Sequence, residues 1–369
     1  MIGICGGGIG GLAAAIALRA AGRDDVVVYE QAPLFGRVGA DINLTPNAVR
    51  ALDGLGVGDR LRETAARPTW RISRVWDTGA ETSRLEMGDS AENRYGSPQL
   101  TMHRADLLAA LDAALPADVV RLGNKIARVE PAGEGHRLLF ADGGSAEVDI
   151  LIGADGIHSA VRTALFGPEN PIFTGIVAYR AVVPAGRLSI PNLDAFTKWW
   201  GPNPQTQIVT FPLNRGQDIF VFATMPMKTW THESWTTPGR VEDLRAAYRD
   251  FHPEAKALLE ACDDVLISAL YIRDPLPAWT SGTATLLGDA CHPMMPFMAQ
   301  GAGMALEDAV VLARHLSEFR DPATALQLYE KARLERTARV QIGSRNNDWL
   351  KDSGNGDWVY GYDAWTTSI

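Results

Sequence analysis

The chain has 369 residues, of which 46% are hydrophobic and 21% are charged, and its formal net charge is −9. These values are typical of a globular protein large enough for two packed domains, and the negative charge argues against a nucleic-acid partner. No apolar run is long enough to span a membrane, and the first strand begins at Met1, which leaves no room for a signal peptide. Three cysteines without a C-x-x-C pair predict free thiols and a cytoplasmic protein.

The N-terminus contains a glycine-rich turn between an apolar strand and an alanine-rich helix. Gly6, Gly8 and Gly11 fit the pattern G-x-G-x-x-G, and a second apolar strand ends at Glu30, about twenty residues further on. The pattern predicts that Gly6 permits a tight turn, that Gly8 lets the backbone approach a pyrophosphate, and that Gly11 lets helix and strand pack closely. Glu30 would bind the ribose hydroxyls of an adenosine, so this segment predicts a dinucleotide site.

A second motif follows an apolar strand in the middle of the chain. The strand predicted over 148–152 leads to Asp155 and Gly156, and a helix with an arginine comes next. Asp155 is a candidate for cofactor binding, but a tight turn in which this side chain caps the helix is the alternative.

The third motif runs from Leu287 to Gly303. A short apolar strand leads to Asp289, and a glycine-rich stretch then opens a helix predicted over 304–316. An aspartate at such a turn can accept hydrogen bonds from a sugar-like hydroxyl. The helix start offers free backbone N–H groups and a positive dipole end, which suit a phosphate or an electron-rich ring edge.

The order of these motifs predicts a discontinuous cofactor-binding half made of three segments, 1–67, 98–169 and 273–340. The β-rich runs with Pro and Gly punctuation predict an antiparallel sheet with one solvent-exposed face, formed by 68–97 and 170–272. The last segment, 341–369, is rich in Trp and Tyr, which argues against disorder. We expect it to pack on the body or on a partner subunit, and a homodimer would fit the second case.

The three motifs resemble the single-component (group A) FAD-dependent aromatic hydroxylases, the family of p-hydroxybenzoate and salicylate hydroxylases. The resemblance covers nearly the whole chain. It implies a Rossmann-like FAD-binding domain interleaved with an antiparallel β-sheet substrate domain. It also implies that NADH or NADPH reduces FAD and that O2 gives a flavin C4a-hydroperoxide. This species would hydroxylate a small hydroxylated aromatic or N-heteroaromatic carboxylic acid, with or without decarboxylation.

The same resemblance implies further cofactor contacts. Arg37 and Arg104 match arginines near the flavin, Gln31 follows the ribose-binding Glu30, and Pro296 lies in a loop that would cover the isoalloxazine. The cofactor candidates of the glycine-rich helix start are Gly301 and Ala302.

The substrate end departs from the 6-hydroxynicotinate hydroxylases of this family, which the chain otherwise resembles at Lys198-Trp199-Trp200 and in the tail. A histidine of those enzymes corresponds to Asn43, which takes up no proton near neutral pH. A second histidine and a tyrosine correspond to Thr206 and Thr210. We therefore expect a related but different substrate, with hydrogen-bonding groups in place of a titrating base. The catalytic candidates are Asn43, Thr210 and His292, although structural support of its turn is the alternative for His292.

The substrate candidates lie on the predicted sheet. Tyr179 and Arg180 would meet a carboxylate, because arginine binds one in bidentate geometry, although an exposed strand arginine is an equal alternative. Thr206 and Phe211 complete the set. Phe211 is one of five aromatic residues that would line a pocket, and strand alternation requires some of them to face the core instead. No histidine or cysteine spacing predicts a metal site.

Two other functions stay open from the sequence. One is a flavin reductase or dehydrogenase on the same scaffold, which would pass electrons without inserting oxygen. The other is a non-catalytic protein that senses an aromatic ligand, although such a sensor has no need of the Asp155-Gly156 motif.

Overall fold

A computed structural model describes residues 1–36, 41–230, 237–347, 349 and 356–369. The strands of these residues are β1 (Ile2–Cys5), β2 (Val26–Tyr29), β3 (Ile42–Leu44), β4 (Trp70–Val75), β5 (Glu81–Glu86), β6 (Leu100–Met102), β7 (Val120–Arg121), β8 (Ile126–Ala132), β9 (Gly135–Phe140), β10 (Ser145–Val148), β11 (Ile150–Gly153), β12 (Ile172–Pro184), β13 (Phe196–Trp200), β14 (Gln207–Leu213), β15 (Asp218–Pro226), β16 (Thr237–Pro238), β17 (Leu266–Ile272) and β18 (Ala284–Leu286).

The α-helices of the described residues are α1 (Ile9–Ala20), α2 (Pro46–Gly54), α3 (Gly58–Arg62), α4 (Asp89–Tyr95), α5 (Arg104–Asp112), α6 (Ala160–Phe166), α7 (Val241–Ala247), α8 (Pro253–Glu260), α9 (Gly301–Glu318), α10 (Pro322–Gly343) and α11 (Asp357–Tyr360). Short 3-10 helices are Ala185–Arg187, Asn214–Gly216, Gly288–Ala290 and Pro296–Met298. None of these helices is both long and apolar enough to cross a membrane.

A five-stranded parallel sheet forms the centre of the cofactor half, in the order β18-β11-β1-β2-β7. Every residue of β1 and β11 is buried, which explains why these strands are apolar throughout rather than alternating. Helix α1 packs against β1 at Gly11, where an added Cβ would lie 1.9 Å from the carbonyl oxygen of Gly6. The close packing predicted for Gly11 is therefore present.

The larger sheet has eight strands in the order β16-β17-β12-β15-β14-β13-β4-β5. Its strands come from residues 70–86 and 172–272, within the ranges predicted for the substrate half. The sheet is mixed rather than antiparallel, because β13 and β4 run parallel. The two strands are separated by more than a hundred residues, so no hairpin constrains their direction.

Both faces of this sheet are covered, so the expected solvent-exposed face is wrong. Helices α7 and α8 pack on one face, which we call the helix face, together with Tyr179 and Trp199. On the other, which we call the cleft face, lie Phe196, Phe211, Phe220 and Phe222, packed with Met295 and Phe297 from the cofactor half. Burial on both sides explains why all seven residues of β14 are buried.

The predicted strand over 148–152 is two strands. Residues up to Val148 belong to β10, which pairs with β9 in a three-stranded sheet, whereas Ile150 begins β11 of the parallel sheet. The backbone N–H of Asp149, between them, donates to the carbonyl of Met1. The sequence did not show this division because Val148 continues the apolar run of β11 and only one residue separates the two strands.

The C-terminal segment packs on the body, as expected from its aromatic content. Arg336 of α10 donates from Nη1 to the Trp358 carbonyl over 2.8 Å and from Nη2 to the Val359 carbonyl over 3.2 Å. Asp357 accepts hydrogen bonds from Arg94 and Tyr95. The buried Val359 and Tyr360 complete an apolar cluster with Met298 and Met304, so the tail contacts the third motif and the helix that it opens.

Candidate functional site

The glycine-rich turn and Glu30 form a preorganised cradle. Gly6 has a φ of +106°, which favours glycine. The Glu30 carboxylate accepts from the Gly7 N–H over 2.6 Å and from the Ala32 N–H over 2.7 Å, and these bonds fix its position. A Cβ added at Gly8 would meet nothing within 4 Å, so the backbone is open to a ligand there.

A second open surface lies at the start of α9. Ala299 adopts a left-handed backbone with a φ of +55°, an uncommon conformation that occurs often at functional sites. A Cβ at Gly301 would meet nothing within 4 Å, and Pro296 is exposed while Gly301 and Ala302 are partly exposed. The first backbone N–H groups of this 18-residue helix therefore face open space, which suits an electron-rich ring edge or a phosphate.

Arg104 interacts electrostatically with Asp289 of the third motif and with Glu30 of the first. Asp289 is solvent-accessible at the tip of its turn, yet surrounding protein raises the pKa of its carboxyl, while His292 and Arg104 lower it. The Asp289 carboxyl is thus exposed to solvent but has protein around it, as is typical of a group that lines a concave surface. Burial lowers the pKa of the Arg104 guanidinium, against the effect of Asp289, Glu30 and Asp41. Arg104 thus links the acids of the first and third motifs.

These residues fit a dinucleotide such as FAD. Such a cofactor requires backbone that it can approach closely, a fixed carboxylate for a ribose, and a helix start with free N–H groups. The site provides two glycines beside open space, the carboxylate and the helix start. Gln31 is exposed beside Glu30, and Arg37 lies outside the described residues.

Asp155 caps the helix that follows its turn. Its carboxylate accepts from the Ser159 hydroxyl and from the N–H groups of Ala160 and Val161, over 2.7 and 3.2 Å. Both oxygens therefore hold the start of α6, as in the alternative reading of this motif. The side chain is half-buried, so Asp155 would shape the cofactor site by fixing its own turn.

His292 is buried away from the cleft face. It is 1% exposed, its Nε2 lies 2.6 Å from Oδ2 of Asp308, and its ring packs 5.4 Å from that of Trp279. A ring enclosed in this way has no route to a substrate, so the structure corrects the grouping of His292 with the catalytic candidates. The geometry agrees with the alternative stated from the sequence, in which His292 supports the structure of its turn.

A network of buried charges lies behind the cradle. Arg333 is fully buried and pairs with Asp308 and Glu307, each over 2.8 Å. Glu307 also accepts from Asn47 over 2.7 Å, and Asn47 donates to Gln300, the residue before α9, over 3.0 Å. This network fixes the helix start relative to the turn at Gly288, whose N–H donates to Asp308 over 3.2 Å.

One group of possible metal ligands occurs in the described residues, formed by Cys291, His292 and Asp308. The His292–Asp308 hydrogen bond already uses two of the three ligand atoms, and Cys291 donates to the Gly288 carbonyl over 3.3 Å. Burial raises the pKa of the Cys291 thiol well above its usual value. A protonated thiol and a histidine that is hydrogen-bonded directly to the aspartate are features of a packed turn rather than of a metal site.

The substrate candidates divide between the two faces of the large sheet. Arg180 and Phe211 lie on the cleft face, where Arg180 is 5.7 Å from the centre of the Phe222 ring and the Phe211 ring stacks on Phe196 at 5.5 Å. Tyr179 packs on the helix face. Neighbouring strand residues point to opposite faces, so the structure corrects the grouping of Tyr179 with Arg180.

The two threonines are also placed away from the cleft. Thr210 lies between Val209 and Phe211, both on the cleft face, so its side chain points to the helix face. Thr206 precedes β14 and donates from Oγ1 to Asn203 over 3.0 Å in a local turn. Neither threonine therefore reaches the aromatic rings of the cleft face. This corrects Thr210 as a catalytic candidate and Thr206 as a substrate candidate.

Asn43 stays a candidate for polar contact. Its Oδ1 accepts from Gln99 over 2.7 Å, and its buried Nδ2 has no hydrogen-bond partner within the described part of the chain. An unpartnered amide is costly when buried, so a ligand oxygen would improve its environment.

Two charged residues near the cleft were missed. Lys198 is 3% exposed, donates to Asn347 over 2.6 Å and lies 3.6 Å from the centre of the Trp200 ring. Alternation from Phe196 would have placed it on the cleft face. Asp41 directly precedes β3 and interacts electrostatically with Arg180, which no sequence pattern could show because the partner lies on a distant strand.

Comparison with known proteins identifies the family. Residues 1–343 match the family model described as an FAD binding domain. The chain belongs to this FAD-binding family. It is 42% identical over 372 residues to 6-hydroxynicotinate 3-monooxygenase of Bordetella bronchiseptica, with 100% of this chain and 96% of the relative covered. Identity to the enzyme of the same name from Pseudomonas fluorescens is 39% over 373 residues, with the same coverage.

Solved structures agree. A salicylate hydroxylase in a substrate complex matches with a TM-score of 0.84 and 26% identity, over 98% of this chain and 95% of that one. HpxO of Klebsiella pneumoniae, complexed with FAD and uric acid, matches with a TM-score of 0.84 and 29% identity, over 97% and 90%. The predicted family, the Rossmann-like fold with a second sheet, and FAD as cofactor are thereby confirmed.

Proposed function

We propose that this flavoprotein is an NAD(P)H- and O2-dependent monooxygenase that hydroxylates a small hydroxylated aromatic or N-heteroaromatic carboxylic acid. The main support for this proposal is that the cofactor half packs against the aromatic cleft face of the large sheet. Met295 and Phe297, from the loop before α9, pack directly against Phe211 and its neighbours on that face. A planar substrate bound there would lie beside the open helix start at Gly301.

The chemistry of the cleft face favours an anionic ring. The rings of Phe196 and Phe211 are nearly parallel, with an angle of 5° between them, and offer flat apolar surfaces to an aromatic compound. Lys198 and Arg180 supply buried positive charge on the same face of the sheet. Buried cations favour a carboxylate or a phenolate ligand.

The protein would contribute position and exclusion of water. Bound FAD would supply the redox chemistry, accepting a hydride from NAD(P)H and activating O2. Met295 and Phe297 are 3% and 7% exposed, so they would shield the reacting ring from solvent. Asn43 would orient the substrate with its amide.

The named relatives support the substrate class but not one compound. The two relatives above act, by name, on 6-hydroxynicotinate, and others on hydroxybenzoates. Since Asn43 replaces a titrating residue expected in the first group, we propose a substrate related to 6-hydroxynicotinate but distinct from it. Efficient hydroxylation of 6-hydroxynicotinate by the purified protein would contradict this part.

The experiment is a turnover assay on FAD-loaded protein. Hydroxylated benzoates and hydroxylated pyridine carboxylates are each added with NADH or NADPH under air, and oxygen uptake and product mass are measured. The proposal predicts that one acid accelerates oxidation of the nicotinamide and gains one oxygen atom, with or without loss of CO2. Acceleration without oxygen in the product would instead establish a reductase or dehydrogenase. Binding without flavin reduction would establish a ligand sensor.

The location and the assembly are separate proposals. Cys5, Cys262 and Cys291 are free and buried, which supports the predicted cytoplasmic location, because such thiols persist in reducing compartments. A homodimer is tested by light scattering of the purified protein.

A further inference from the structure

Asp41 lies where the two halves of the molecule meet. It directly precedes β3, in which Asn43 pairs with Thr101 of β6. The Thr101 hydroxyl donates over 2.6 Å to the carbonyl of Pro212 on β14, so β3 and β6 lie beneath one end of the cleft face. The Asp41 side chain is half-buried and therefore accessible to a ligand.

Two arginines from different elements interact electrostatically with the Asp41 carboxyl. Arg180 comes from β12 and Arg104 from the start of α5. Arg180 lies 5.7 Å from the centre of the Phe222 ring on the cleft face, whereas Arg104 interacts with Asp289 of the cofactor cradle. The Asp41 carboxyl therefore interacts with one arginine from the cleft face and with one that also interacts with the cofactor cradle.

We propose that Asp41 accepts the proton from the ring hydroxyl of the substrate, a role that rests on the function proposed above. The O–H bond breaks, the proton joins an Oδ atom of Asp41, and the electron pair stays on the ring oxygen. The resulting phenolate is a stronger nucleophile than the phenol. Arg180 stabilises the new negative charge, and Asp41 returns the proton to solvent through the open cleft after the reaction.

The electrostatic surroundings suit this role. Burial raises the pKa of Asp41 to about 7, against the lowering effect of Arg180 and Arg104. Arg104 also interacts with Asp289 and Glu30. A group with a pKa near the working pH can both take up and release a proton. The basic form predominates above this pKa and is lost as the pH falls through it.

The test compares wild type, Asp41→Asn and Asp41→Glu, all loaded with FAD, with Asp24→Asn as the control. Asp24 is an exposed acid in the turn between α1 and β2. Circular dichroism and flavin content first establish that each variant is folded. The probes are 3-hydroxybenzoate, 4-hydroxybenzoate and 6-hydroxynicotinate, together with the acid that wild type turns over fastest.

Two properties are measured for each variant. The first is the pH profile of kcat/KM, which in wild type should rise through about 7. Asp41→Asn should lose this rise and about 100-fold of its kcat/KM at neutral pH, while Asp41→Glu should recover part of both. The second is the absorbance difference on binding each probe to the oxidised enzyme without NADH, which should show the phenolate in wild type and the neutral phenol in Asp41→Asn.

The outcomes separate the two proposals. An unchanged pH profile and an unchanged phenolate absorbance in folded Asp41→Asn would overturn the role of Asp41 while leaving the proposed function intact. If wild type inserts oxygen into none of the acids, the function proposed above fails, and the role of Asp41 fails with it.

Discussion

Replacing Asp308 with asparagine should destabilise the cofactor half strongly. The carboxylate is fully buried and accepts from Arg333 Nε over 2.8 Å, from His292 Nε2 over 2.6 Å and from the Gly288 N–H over 3.2 Å. An asparagine offers one acceptor oxygen, and its NH2 group would face a donor. The buried guanidinium of Arg333 would thus keep only one of its two carboxylate partners.

The expected cost follows from this burial. Breaking a buried, hydrogen-bonded ion pair typically costs about 3–5 kcal/mol. Burial acts to raise the pKa of Asp308, but His292 and Arg333 lower it below the usual 3.8. A lowered pKa contributes stability above the unfolded value, and this stability is lost as the pH falls through the folded value. The difference between wild type and variant should therefore be full at neutral pH and shrink below a pH of about 4.

The assay is urea denaturation followed by circular dichroism at several pH values. Asp263→Asn is the matched control, because Asp263 pairs with Arg187 on the surface, where solvent weakens ion pairs. The control should leave the free energy of unfolding nearly unchanged. Equal effects of the two substitutions at neutral pH would contradict a stabilising role of the buried Asp308 carboxylate, as would a pH-independent difference for Asp308→Asn.

Three further predictions address the cradle, the sheet faces and the thiols. Gly8→Ala should keep the stability of the FAD-free protein but weaken FAD binding in calorimetry, because its Cβ enters open space. Gly11→Ala should impair folding, because its Cβ would lie 1.9 Å from a carbonyl oxygen. Thr210→Val should leave kcat/KM nearly unchanged, whereas Phe211→Ala should lower it; the reverse result would place the substrate elsewhere. The thiols should react with Ellman's reagent only after unfolding, since burial raises the pKa of Cys262 to about 11, and rapid labelling of native protein would contradict the described burial.

The parts of the fold that depend on local sequence could be predicted. The strand, turn and helix around Gly6, Gly8 and Gly11 are adjacent in the chain, and each glycine has a separate steric reason. Glu30 follows from the same spacing. The third motif is also local, and its turn and helix start were predicted within a few residues of α9.

The parts that depend on distant contacts could not. The parallel pairing of β13 with β4 joins residues more than a hundred positions apart. Whether Tyr179 and Thr210 can contact a substrate depends on which face of the sheet their side chains point to. A register shift of one residue reverses that face. Asp41 could be recognised as a candidate only from its interactions with Arg180 and Arg104, which come from two other elements of the fold.

Oxygen insertion is tested by the mass of the product that FAD-loaded protein forms with NADH and a hydroxylated aromatic acid under isotopically labelled O2. A monooxygenase should give one labelled oxygen atom in the product, and the acid should accelerate oxidation of the nicotinamide. Accelerated oxidation with no label in the product would contradict the claim, and so would a purified protein that cannot be loaded with FAD.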